Sequence, residues 1–111
     1  MAWTLPTGSR SISLNGVTAV QIVAAPAGSL NRMVTQARVE NLDSIPHIIA
    51  IQLDVSGSKS DLKRKTVPAG GQLEMETPYD LIGSTQSLYA VLGEAASGTQ
   101  PKAHVAFAEQ S

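Results

Sequence analysis

Apolar and polar residues alternate along most of the chain, in short runs. Ser11, Ile12, Ser13 and Leu14 alternate and stop at Asn15-Gly16, and residues 17–23 take the pattern up again. An Asn-Gly pair between two such runs signals a hairpin, because both central residues of a type I′ turn need positive φ. The spacing therefore predicts that strands 11–14 and 17–23 pair directly. After Pro26-Ala27-Gly28, residues 32–40 alternate, with Met33, Thr35, Ala37 and Val39 expected on one face and Arg32, Val34, Gln36, Arg38 and Glu40 on the other. Residues 47–55 (HIIAIQLDV) are rich in β-branched and aliphatic side chains and read as a central strand. Further strands are expected at 61–67, 72–76, 87–92 and 102–108, with a short apolar step at Leu81-Ile82.

Turn residues separate these runs. Ser56 to Ser60 read as a polar loop, and Gly93 to Pro101 as a long loop of small residues. Pro68-Ala69-Gly70-Gly71 joins the 61–67 and 72–76 segments, which are expected to be hairpin partners with lysines facing glutamates. No segment carries a 3.6-residue apolar stripe of helical length. About eight short strands at a spacing of about 8–14 residues point to one antiparallel β-sandwich, jelly-roll or immunoglobulin-like. Residues 1–10 lack the alternation, contain Pro6 and Gly8, and read as an N-terminal arm ahead of a domain over 11–111.

Composition narrows the function classes. Of the 111 residues, 42% are hydrophobic and only 4% aromatic (Trp3, Tyr79, Tyr89 and Phe107), so the core must be aliphatic. A net charge of −1 argues against neutralisation of nucleic-acid phosphates. There is no cysteine, which excludes disulfides, thiolate metal sites and cysteine nucleophiles. No run approaches the roughly 18 apolar residues of a membrane helix. The N-terminus lacks the basic and apolar regions of a signal peptide, so no export signal and no membrane partner are expected.

Catalytic and metal-binding patterns are scarce. His47 and His104 stand in no ligand spacing and are both expected at the surface or rim. Ser56-Gly57-Ser58-Lys59-Ser60 lacks the glycine spacing and the following helix of a phosphate-binding loop. Asp54 and Asp61 share their region with Lys59, Lys63, Arg64 and Lys65, which would repel a calcium ion. Glu74 and Glu76 read as solvated side chains of one strand face. No catalytic, cofactor-binding or metal-ligating residue is therefore assigned. Charge layout is more informative, since residues 59–65 hold four of the eight basic residues. Patches of opposite sign suit ordered assembly. The candidate partner interface consists of Trp3 and Leu5 in the arm, Arg32 and Arg38, and the basic set Lys63, Arg64 and Lys65.

The segments IVAAPAGSLNRMVTQARVENLD (22–43), IIAIQLDV (48–55), VPAGGQLEMETPYDL (67–81) and SLYAVLGEAASGTQPKAHVAFAE (87–109) resemble the small β-sandwich virion proteins of tailed bacteriophages. Those proteins also flank Pro-Ala-Gly turns with short strands and place a small-residue loop before the last strand. The resemblance spans roughly residues 17–109 and rests on turn and strand style. It implies a non-enzymatic virion part, most simply a capsid decoration or cement protein assembled in the host cytoplasm. Its implied partners are copies of itself, with a trimer favoured, and the major capsid protein or other virion proteins. A tail or head–tail connector component is the alternative within this class. A carbohydrate-binding sandwich is the alternative outside it, and the shortage of aromatics weighs against that.

Overall fold

A computed structural model describes residues 3–26 and 31–110, with side chains described for 8–26 and 31–109. Among the described residues nine strands follow one another: β1 (Trp3–Ser13), β2 (Val20–Val23), β3 (Asn31–Glu40), β4 (His47–Val55), β5 (Ser58–Val67), β6 (Gln72–Glu74), β7 (Tyr79–Ile82), β8 (Gln86–Leu92) and β9 (Lys102–Gln110). A single 3₁₀ turn at Gly83–Thr85 is the helical part of the described residues.

The pairing is that of one long ribbon folded in half. β4 pairs with β5, β3 with β6 and β7, β2 with β8, and β1 with β9, all antiparallel. Rolling the ribbon sets β9 beside β3 and β8 beside β4. Two sheets result, β1-β9-β3-β6 with β7 also on β3, and β2-β8-β4-β5. Of the two sandwich types expected, this is the jelly roll.

The fold of the ribbon lies at Ser56-Gly57, between Val55 and Ser58, which pair across it. Both turn residues have positive φ (54° and 93°), as a two-residue type I′ hairpin needs. The hairpin expected at Asn15-Gly16 does not form: those residues make a local turn closed by an Asn15–Thr18 bridge, and the strands on either side enter different sheets. The expected 61–67/72–76 hairpin is also corrected. β5 and β6 lie in opposite sheets, and the turn between them crosses the sandwich. Asn41 holds that turn, because the Gly70 N–H donates to its carbonyl and its own N–H donates to that of Gly71, each at 2.9 Å.

β3 departs from strict alternation as well. Its register against β9 slips between Val34 and Gln36, so Thr35 is an extra residue. The bulge reverses the phase of the pattern, and Val34 joins Ala37 and Val39 in the interior. These pack with Ala103 and Val105 of β9, Leu73 and Leu81 of β6 and β7, and Ile49, Ile51, Leu88, Ala90 and Leu92 of the facing sheet. Each fully buried aliphatic side chain contributes about 1.5–3 kcal/mol relative to exposure. Met75 also joins this core, while Tyr79 and Phe107 pack only at its margin. The residues expected as an arm, from Trp3 onward, lie on β1 against β9, with a register break between Thr4 and Gly8.

Candidate interaction surfaces

One end of the sandwich is fixed by a buried polar cluster. The Asn41 amide donates to the carbonyls of Ile45 and Val67, both at 3.0 Å, and its oxygen accepts the Asp43 N–H at 3.1 Å. The Asp43 carboxylate accepts from His47 Nε2 at 2.6 Å and from the N–H groups of Ser97, Ser44, Gly98 and Thr99 at 2.7–3.3 Å. Residues 97–99 of the long β8–β9 loop are thereby tied to the β3–β4 loop. Hydrogen bonding from His47, then from the Ser97 amide, outweighs burial and holds the Asp43 carboxyl well below the usual carboxylate range. His47 was expected at the rim and is instead fully buried, because its partner is a buried carboxylate. Among the described residues its Nδ1 has no hydrogen-bond partner, and it lies 3.8 Å from the exposed carboxylate of Glu94.

Cross-strand register orders the outer face of the β1-β9-β3-β6 sheet into rows. Ser11, His104, Arg38 and Glu74 form one, and Ser13, Lys102, Glu40 and Gln72 the next. The Ser11 hydroxyl donates to His104 Nδ1 at 2.9 Å, and His104 Nε2 donates to Glu40 at 3.3 Å; the tautomer serving both contacts has its proton on Nε2. Arg38 donates to the Gln72 side-chain oxygen at 3.2 Å, and Gln72 in turn donates to Glu74 at 2.7 Å. A shallow depression of about 280 Å³ lies over Ser9, Ser11, Gln36, Arg38 and His104. Serine, histidine and carboxylate here have the sequence of a hydrolytic triad. Ser11 lies on the edge strand β1, His104 on β9 and Glu40 on β3. The trio ties β1, β9 and β3 together.

The candidate interface residues are dispersed. Trp3 and Leu5 are on β1, an edge strand, and their side chains lie outside the described residues. Arg32 is engaged within the chain: it ion-pairs with Glu109, donates to the Ala24 carbonyl at 2.8 Å and lies 4.5 Å over the Phe107 ring. Arg38 belongs to the polar rows. Lys63, Arg64 and Lys65 are exposed on β5, the opposite edge strand. The basic triplet thus shares one edge strand, with Arg64 on the opposite side from Lys63 and Lys65, and the other candidates lie on other strands. The Ser11–His104–Glu40 trio escapes the sequence reading because its members are 93 and 64 positions apart. Only the alternation of Ser9, Ser11 and Ser13 hints at a polar face there. Among the described residues no group of three or more potential ligands converges on a metal position, and no helix is long and apolar enough to cross a membrane.

No family model matches the sequence, and no curated protein matches it. Solved structures resemble this fold to differing degrees. A subunit from the Bacillus endospore appendages, a family of disulfide-linked pili, superposes with a TM-score of 0.54 at 13% identity, over 100% of this chain and 94% of that one. PirA gives 0.49 at 13% identity, over 90% and 91%. A chain of infectious bursal disease virus gives 0.30 at 8% identity, over 97% of this chain and 33% of that one. The first likeness covers both chains almost end to end and shows the same small two-sheet sandwich.

Proposed function

We propose that the protein is a non-enzymatic structural subunit of a virion of the tailed-phage kind, placed on the head as a decoration protein in many copies. The observation that carries this reading is the distribution of chemistry. Apart from the Asn41–Asp43–His47 cluster that ties the loops at one end, the interior is aliphatic, and the other ordered polar groups lie in shallow cross-strand rows and along an edge strand, which suits broad contact with other proteins. The sequence resemblance to small β-sandwich virion proteins supports the same reading. On this reading Trp3 and Leu5 of the leading segment dock by apolar contact. Arg38, Lys63, Arg64 and Lys65 meet carboxylates of neighbours, which are further copies in a symmetric cluster, a trimer for preference, and the major capsid protein. Arg32 supports the interface indirectly by holding β3 to the end of β9.

A tail or head–tail component remains within the same proposal, and copy number separates the two. Quantitative mass spectrometry of purified particles is expected to find hundreds of copies per particle. A dozen or fewer would move the subunit to the tail or neck, and absence from the particles would overturn the reading. A second reading, a fibre subunit, draws on the end-to-end likeness to the endospore appendage subunit. The appendages are disulfide-linked, whereas this chain has no cysteine, so any fibre it formed would be held without disulfides.

A further inference from the structure

β5 closes its sheet. β4 is bonded along one side of it, and among the described residues no strand pairs with the other. Ten residues, Ser58–Val67, thus present an open row of backbone N–H and C=O groups. The register against β4 slips at Leu62, which leaves 63–67 as a regular stretch. Cross-strand partners assign the sides: Lys63 and Lys65 stand opposite the buried Ile51 and Ile49, on the side facing the second sheet, and Arg64 stands opposite Ala50 on the outside. Neither lysine has a carboxylate partner among the described residues, and Arg64 shares only the exposed Asp61, at 3.2 Å. A pocket of about 220 Å³ lies beside this stretch, lined by Leu62, Lys63, Met75, Glu76 and Tyr79.

We propose that the free edge of β5 takes up an extended acidic segment of a partner protein as an additional strand. Backbone hydrogen bonds along 63–67 supply the affinity. Carboxylates on one side of the segment meet Lys63 and Lys65, and a carboxylate on the other side meets Arg64. An apolar side chain seats against Leu62, Met75 and Tyr79, where Glu76 turns a carboxylate away. Charge decides the occupant. A second β5 would set these lysines against their own copies, so the residues that admit an acidic strand reject the β5 edge of another copy. This gives the partner chemistry for the basic triplet. It rests on the proposed function only in taking the partner to be a virion component, because the edge binds acidic strands wherever the protein works.

The test uses the whole protein and a capped hexapeptide that, as a strand, carries two glutamates and a valine on one side and a third glutamate between threonines on the other, with the same peptide bearing lysines for glutamates as control. Binding is followed by titration calorimetry and by amide chemical shifts. The acidic peptide is expected to bind, to shift residues 62–67 together with Met75 and Tyr79, and to weaken at least tenfold in Lys63→Gln/Lys65→Gln and again in 0.5 M salt. The control is expected not to bind. Both lysines are exposed, so the double variant should keep its circular dichroism and melting temperature. Three results would overturn the proposal: no binding at millimolar peptide, shifts confined to another surface, or equal binding by the double variant. Failure to bind the acidic peptide, combined with self-association of the double variant in sedimentation, would overturn it in a specific way, by showing that the lysines only shield the edge. None of these outcomes depends on whether the protein is found in virions.

Discussion

Gly8 occupies a position that no side chain fits. It sits opposite Phe107 across β1 and β9, and a Cβ built there would overlap the aromatic ring. The Arg32 guanidinium lies over the same ring, which limits how far the ring can yield. Gly8→Ala is therefore expected to destabilise the fold by about 1–3 kcal/mol, the usual cost of overpacking, as measured by denaturant unfolding. Asp43 is critical for another reason, since its carboxylate gathers amides from two loops. Its pKa is lowered on folding, as are those of Asp54, beside Lys59 and the Gly57 amide, and Asp61, beside Gln52 and Arg64. A lowered folded pKa adds stability that is complete above the ordinary carboxylate value and is lost as pH falls through and below it. Melting temperature is thus expected to fall steadily from about pH 5 to pH 2.5. Asp43→Asn should melt lower at neutral pH, because an amide NH₂ would oppose donors, and should lose much of the acid dependence. None of this is legible in the sequence. His47 looked like a rim residue because its buried partner Asp43 sits in a segment that reads only as a polar turn.

At the level of elements, β4 shows how much the pattern of residues does reveal. HIIAIQLDV identified it as central, and the structure places it between β8 and β5. Ile49 and Ile51 are fully buried, whereas Ile48, on the outer face, is 39% exposed. Ile51→Ala is expected to cost about 2–5 kcal/mol. Ile48→Ala, on the same strand, should cost less than about 1 kcal/mol, and chemical denaturation of the pair checks the assignment of faces. Strand existence was readable because alternation is a local property. The phase of β3 was not, because the bulge at Thr35 is set by β9 and leaves no mark in the chain itself. Turns misled in the same way. Asn15-Gly16 has hairpin chemistry but ends at a corner between sheets, while Ser56-Gly57, less typical in composition, makes the true hairpin.

For the whole molecule, the ribbon topology decides which strands are outermost. Rolling the ribbon places β3, β4, β8 and β9 inside their sheets and leaves β1, β2, β5 and the β6–β7 pair outermost. The leading segment and the basic triplet therefore fall on edge strands, where neighbours can reach them. Sequence spacing pointed to a sandwich but did not choose between the jelly-roll and immunoglobulin-like forms, because that choice depends on pairs such as β1 with β9, which join the two ends of the chain. The central claim is that this sandwich is a repeated structural part of a virion head. A cryo-electron microscopy reconstruction of the particle tests it most directly. The account predicts a two-sheet density of about the molecule's 45 × 26 × 18 Å at every equivalent position on the shell, with β1 or β5 facing a neighbour. A shell with no such density, from particles that carry the intact gene product elsewhere or not at all, would contradict it.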